Sequence, residues 1–282
     1  MEGIDVSRYQ GSVNWNSVSA AGKEFAIIRA GYGRLQSQRD PTFIRNYNGA
    51  VAAGLRVGCY WYSYADTVDA ALQEAETCLA VIGDRAMPMG VWFDQEYETE
   101  ILALNDAQRT DIVLAFMNRI RQAGYISGLY CSADWLRNQL EYSRLQGRNL
   151  WIARYGSTPP SLPLPFNIWQ YTDSGRVNGI QGNVDLDRLD RELTDDSGGG
   201  GSDRGPFPPL GDATLRRGDR GTFVFHLQAI LIVLGYNPGP LDGIFGAQTE
   251  AAVIEFQQDE GLVDDGLVGN RTKQALEDAW NS

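Results

Sequence analysis

The chain has 282 residues, 43% of them hydrophobic and 21% charged, a globular profile with room for one or two domains. Its formal net charge of −12 argues against nucleic acid or an anionic membrane as a partner held by general electrostatics. No apolar run approaches the roughly 20 residues that span a bilayer, and a single histidine, His226, argues against a zinc hydrolase with His ligands or a Ser-His-Asp enzyme. Neither a metal nor an organic cofactor is expected.

The first residues, MEGIDVSRYQGSVNW, carry no basic stretch followed by an apolar core, so no signal peptide is read there. GIDVSRY reads as a first strand. FAIIRAGYG, RVGCYWYSYA, MGVWFDQEY, ISGLYCS, NLWIARYG, FNIWQYT and a short NVDLDRL follow as further strands. Helical periodicity lies between several of them, over 41–53, 67–82, 104–123 and 132–140, with Asp106 as the expected cap of the third. Strand and helix in alternation imply a mainly parallel sheet with helices outside. Eight strands within residues 1–193 fit an irregular, TIM-like α/β barrel, because a regular one needs about 250 residues. Helices must therefore be missing, and the turn from strand seven to strand eight is one such place. Cys59, Cys78 and Cys131 form neither an even framework nor a metal spacing; they read as buried thiols, with one disulfide as the lesser alternative.

Residues 194–209, TDDSGGGGSDRGPFPP, break the composition and place a Gly/Pro-rich linker at 194–213. Beyond it, residues 214–282 contain two near-repeats, LDGIFGAQTEAAVIEFQ and DDGLVGNRTKQALEDAW. Each runs from an Asp-Gly turn through a second glycine and a threonine into an apolar helix. A small all-α helical binding domain is expected.

The acids of the first domain carry the functional signal. Asp94 and Glu96, at the end of MGVWFDQEY, are two apart on a strand and so share one face. Asp5 ends the first strand, and Asp185 and Asp187 sit near the last. In a parallel barrel the C-terminal ends of the strands form the rim that hosts the site. Glycoside hydrolysis needs such a group: one carboxylic acid protonated for the leaving oxygen, another ionised to support positive charge at the anomeric carbon. The plain alternative is ordinary loop acids, which an isolated Asp-x-Glu pair would not distinguish. Asp187 is the weakest of the five, a solvated acid being its alternative. Aromatics crowd the same strands. Tyr32, Tyr62, Tyr64 and Trp169 are candidates for saccharide contact, while Trp61, Trp92 and Trp151 read mainly as core.

GIDVSRYQGSVNW, FAIIRAGYG, GCYWYSYA, VWFDQEY, LWIARYG and IWQYTDSGRVNGIQGNVDLDRL occur in the order seen in the glycoside hydrolase family 25 lysozymes, which residues 3–193 resemble. The resemblance implies an N-acetylmuramidase that cuts the β-1,4 bond between N-acetylmuramic acid and N-acetylglucosamine. It puts Glu96 at the general-acid position and Asp94, Asp5 and Asp185 at the other acidic positions. Where many members carry a histidine this chain has Trp61, a departure expected to touch a subsite. The resemblance suggests retention of configuration, through a protein carboxylate or through the substrate's own acetamido group, the latter being the favoured reading. Residues 214–280 resemble a short helical peptidoglycan-binding domain, whose signature residues Gly218, Leu227, Gln228, Gly235, Asp242, Gly243, Gly246 and Thr249 are mainly structural. The expected partner is bacterial peptidoglycan, met outside the cell or at the wall by a monomer. The rivals are a chitinase-like glycosidase, disfavoured by Met89, Gly90, Val91 and Trp92 where further acids would stand, and a non-catalytic wall-binding protein, disfavoured by Asp94 and Glu96.

Overall fold

A computed structural model describes residues 1–194, 207–240 and 243–281. The chain divides into two compact units, Met1–Gly199 and Gly200–Ser282. In the first, strands β1 (Glu2–Val6), β2 (Phe25–Tyr32), β3 (Arg56–Tyr62), β4 (Val91–Asp94), β5 (Ser127–Ser132), β6 (Asn149–Ala153), β7 (Ile168–Gly175) and β8 (Val184–Leu189) close into a barrel in chain order. Helices α1 (Trp15–Ala20), α2 (Phe43–Ala52), α3 (Val68–Ile82), α4 (Thr99–Leu102), α5 (Asp106–Gln122) and α6 (Ala133–Asn138) lie on the connections up to β6.

The barrel departs from the parallel expectation at one strand. β1 through β7 pair in parallel, but β8 runs antiparallel to both its neighbours, β7 and β1. The cause is the connection. Residues 176–183 are too few for the crossover of a dozen or more residues that a parallel return requires, so the chain turns back as a hairpin. A second correction concerns α5. Asn105, not Asp106, caps it: the Asn105 side chain accepts from the Gln108 N–H at 2.9 Å, and the Gln108 side chain accepts from the Asn105 N–H at 3.0 Å. Asp106 is the first helical residue, where its charge suits the helix dipole and pairs with Arg109 at 2.5 Å.

Alternation along the strands sorts the core into two layers. Phe25, Ile27, Met89, Trp92, Tyr130, Trp151 and Ile168 fill the barrel interior. Val6, Ile28, Val57, Phe93, Leu129 and Ile152 face outward onto the helices. Gly128 makes room inside; a Cβ there would lie 2.3 Å from the Trp92 ring. The three cysteines are buried and unbridged.

The second unit is built on α7 (Thr222–Val233), α8 (Ala247–Asp259) and α9 (Asn270–Asn281), around Leu227, Ile230, Leu231, Val253, Phe256 and Leu276. Its sequence repeat is a structural one. Gln228, on α7, accepts the Gly243 N–H at 2.8 Å and donates to the Ile244 carbonyl and the Thr249 hydroxyl. Gln257, on α8, treats Gly266, Leu267 and Thr272 in the same way. Gly243 and Gly266 both have φ of 69°, the left-handed region that favours glycine. Asp242, of the first repeat, lies outside the described residues.

Of the expected linker, 195–206 lies outside the described residues, and both ends belong to folded units. Thr194 is bonded through its N–H and its carbonyl to the Asn149 side chain. Phe207 and Leu210 pack on the second core, the Pro209 carbonyl is 2.6 Å from His226 Nδ1, and Lys273 Nζ donates to the carbonyls of Gly211 and Ala213. The apolar residues among the prolines are what a composition reading overlooks.

Gln257 is 1% exposed, so its loss would strand buried backbone groups. Gln257→Ala should cost about 2–4 kcal/mol. Urea unfolding of a fragment covering residues 207–282 measures this, and a loss below about 0.5 kcal/mol, the scale of an ordinary surface change, would refute the pinning role.

Candidate active site

The mouth of the barrel gathers carboxylates from strands far apart in sequence. β1 brings Asp5, β4 brings Asp94, and Glu96 follows just past the β4 end. Asp185 reaches them because β8 is reversed: its first residues, not its last, lie at this rim, and Asp185 pairs directly with Asp5. Asp187 is one step deeper, opposite Gly3, fully buried, and accepts a hydrogen bond from Trp151 Nε1 at 2.8 Å. It belongs to the floor of the site rather than its surface, so the solvated alternative does not hold.

Two neutral residues organise the group. Gln170, on β7, donates from Nε2 to Asp5 Oδ2 at 2.8 Å, while its Oε1 accepts from the hydroxyls of Tyr130 at 2.9 Å and Tyr155 at 3.3 Å. Gln95, between the two central acids, points the other way and accepts from Trp135 Nε1 at 3.1 Å. That bond fixes the strand end on which Asp94 and Glu96 sit. Asp94 is 3% exposed, and its Oδ1 has no hydrogen-bond partner among the described residues.

Crowding and burial shift every one of these acids upward. Burial is the largest cause for Glu96, followed by the charges of Glu98 and Asp185. Burial and then Glu96 raise Asp94 well above the ordinary carboxylate range, against the pull of Arg29. Asp5 is raised well above it by burial and by Asp187 and Asp185. Asp185 rises to about 6, through burial and Asp173, and Asp187 to about 8, where burial outweighs the hydrogen bond from Trp151. Desolvation is the largest cause in each case, ahead of like-charge repulsion.

Aromatic side chains flank the acids. Tyr32 and Tyr64 meet edge-on with ring centroids 6.2 Å apart, and Tyr62 and Tyr64 lie at 5.2 Å. The Tyr62 hydroxyl donates to Glu98 at 2.5 Å. These three tyrosines form one wall. Toward β5 and β6 a pocket of about 330 Å³ opens, lined by Glu96, Tyr97, Tyr130, Ser132, Arg154 and Tyr155 among others. Two expectations are corrected. Trp169 is not in the cleft. Its neighbour Gln170 faces the barrel interior, so Trp169 lies on the outer face, 2% exposed, with Nε1 donating to the Arg154 carbonyl and Arg188 over its ring. Trp61 likewise faces outward, fully buried, and donates to the Gly33 carbonyl at 3.0 Å, so it touches no subsite. Gln170, Glu98 and Arg29 went unnoticed in the sequence. For Gln170 the signal was an amide in the middle of an apolar strand.

A rim of buried acids beside an aromatic wall suits an oxocarbenium-like transition state. The family model for glycosyl hydrolases family 25 matches residues 4–180. The chain belongs to that family. The model of a putative peptidoglycan binding domain matches residues 220–276. An autolytic lysozyme of Clostridium acetobutylicum is 30% identical over all of this chain and 80% of its own length. An N,O-diacetylmuramidase of a Chalaropsis species is 31% identical over 66% of this chain and 96% of its own. The crystal structure of a bacterial lysozyme from Streptomyces coelicolor superposes with a TM-score of 0.59 at 26% identity, covering 67% of this chain and 92% of that one. This family 25 chain is thus a glycoside hydrolase of the lysozyme type.

The raised acids set how its stability responds to pH. Asp185, Asp187 and Glu74, the last raised to about 7 mainly by burial, bind protons more tightly folded than unfolded. Their contribution is complete below the unfolded values and is lost as pH rises through the folded ones. Asp40 works oppositely: burial opposes it, but hydrogen bonds from Thr42, the Arg8 N–H and Arg29 hold it below its ordinary value, so its contribution is lost only in acid. The melting temperature of the first unit should therefore peak near pH 4, the ordinary carboxylate range, and fall from there to about pH 8. A calorimetric series that is flat or rising over that interval would contradict the shifts.

Proposed function

We propose that the first unit is a retaining N-acetylmuramidase that cleaves the β-1,4 bond between N-acetylmuramic acid and N-acetylglucosamine, and that the second unit holds it on the wall. The observation that carries the reading is the pair at the β4 end: Glu96, whose pKa burial and neighbouring charge raise, beside Asp94, whose buried Oδ1 has no hydrogen-bond partner among the described residues. Glu96 donates its proton to the glycosidic oxygen as the bond to the anomeric carbon breaks. The acetamido oxygen of the same sugar closes on that carbon, and Asp94 accepts the acetamido N–H and supports the positive charge. Water then attacks the anomeric carbon, gives its proton to Glu96 and restores the acetamido group. Two displacements at one carbon return the original configuration. Asp5 and Asp185 shape the field beneath this pair, and Gln170 fixes Asp5. Tyr32, Tyr62 and Tyr64 bind the glycan by ring stacking and hydroxyl bonds. Such an enzyme works outside the cytoplasm, as a monomer, and needs no metal or organic cofactor.

Glu96→Gln should fold normally and lose activity on purified walls by about 10²-fold or more, since an amide has no proton to give. Asp94→Asn should lose mainly kcat, because its charge acts in the transition state. Release of reducing ends identified by mass spectrometry is the measurement. A Glu96→Gln variant that keeps more than about a tenth of the rate would sink the general-acid assignment.

Ending the chain at Asp196 should leave activity on short soluble muropeptides unchanged. On dilute intact walls it should slow clearance, up to about 10²-fold, because tethering raises the local concentration of the catalytic unit. Equal clearance by full-length and shortened chains would remove the anchoring role.

A further inference from the structure

The mechanism leaves one buried acid unused. Glu74 lies on the inner face of α3, wholly inaccessible, among Ala71, Ala75 and Cys78. A carboxyl group in such surroundings is costly unless a polar partner meets it. Its partners are the main chain of the cleft and the Ser63 side chain beside it. Glu74 Oε1 accepts the Tyr64 N–H at 3.0 Å, and its Oε2 has no hydrogen-bond partner among the described residues.

The location gives that bond a purpose. The β3–β4 ladder ends where the Ser63 N–H donates to the Asp94 carbonyl at 2.9 Å. From there the chain leaves the sheet, and the next N–H, that of Tyr64, has no strand to pair with. Glu74 takes it, while the Ser63 hydroxyl accepts the Ala65 N–H at 3.0 Å. One turn further along α3, the Thr77 hydroxyl donates to the Arg34 carbonyl at 3.0 Å, just past β2 and Tyr32. The Tyr64 side chain itself is half exposed and, among the described residues, meets the rings of Tyr32 and Tyr62. Its direction depends on how its backbone is held.

We infer that Glu74 is a positioning residue for glycan binding: by accepting the Tyr64 N–H it sets the exit of β3 and so the shape of the tyrosine wall. The inference rests on the reading that this wall binds the glycan. Because the wall contacts sugar rather than the reacting atoms, the effect belongs to KM and not to kcat.

Steady-state kinetics on soluble muropeptide oligomers test this with Glu74→Met, Glu74→Gln, Tyr64→Ala and the Glu74→Met/Tyr64→Ala pair. Glu74→Met keeps the length of the side chain and removes the acceptor. It and Tyr64→Ala should each raise KM about fivefold, with kcat within about twofold of wild type. Glu74→Gln should stay near wild type, since its amide oxygen still accepts. The double variant should be no worse than Tyr64→Ala alone, because both changes remove one feature. A normal KM in Glu74→Met, additive effects in the double variant, a loss of kcat as large as the rise in KM, or Glu74→Gln as impaired as Glu74→Met would each overturn the inference. Should Glu74→Met fail to fold, Glu74→Asp replaces it, keeping the acid and shortening its reach by one methylene, with the same expected and overturning results. If Tyr64→Ala leaves KM unchanged, the wall reading falls and this inference with it. If Tyr64→Ala raises KM and Glu74→Met does not, this inference falls alone.

Discussion

Everything at the mouth of this barrel follows from holding several carboxyl groups where water hardly reaches. Asp5, Asp94 and Asp187 are all nearly inaccessible, and Arg29, the cation that pulls on Asp94, is tied to Asp40 at 2.8 Å. Charge in such surroundings is expensive, so each of these acids binds its proton more tightly than in water, and an ionised Asp94 is favoured only where positive charge develops beside it. That expense is also the chemical asset. A general acid must hold its proton at the working pH, and in the proposed role Glu96 is helped toward this by the walls and acidic neighbours that the fold supplies.

The reversed last strand serves the same end. In a barrel of parallel strands, a residue near the beginning of a strand sits at the far rim. By turning β7 directly back into β8, the chain puts Val184 and Asp185 at the mouth and Asp187 beneath them, facing Gly3, Asp5 and Gln170. The missing helix and the placement of two acids are thus one event, caused by a connection too short to cross over.

Much of this was legible in the sequence, and the unread part has a common cause. Alternation on short strands identified Asp94 and Glu96, because a two-residue spacing places both on one face whatever the partners are. Asp185 was assigned correctly to the rim, but by assuming a parallel strand; the true reason needed the hairpin. Trp169 failed because a candidate aromatic was chosen by type without counting parity from Gln170, the neighbouring residue that does face inward. Trp61, read mainly as core, is core; only the expectation that it touches a subsite failed, since it lies one position away from Tyr62 on the wall. Glu74 carried no signal at all. An acid within an alanine-rich helix looks like a solvated residue until the sheet beneath it is known.

The polar interior of both units relies on the same neutral device, a glutamine that gives and accepts at once. Gln170 donates to Asp5 and accepts from two tyrosines. Gln228 and Gln257 donate to a carbonyl and a threonine hydroxyl and accept a glycine N–H. An amide meets donors and acceptors without bringing a charge into a space that tolerates few. In the barrel this matters most. A lysine or arginine in place of Gln170 would also bond Asp5, but its charge would lower the pKa of the acids nearby, Glu96 among them, and so work against the proposed general-acid role. The amide fixes the carboxylate and leaves the field of the site to the acids.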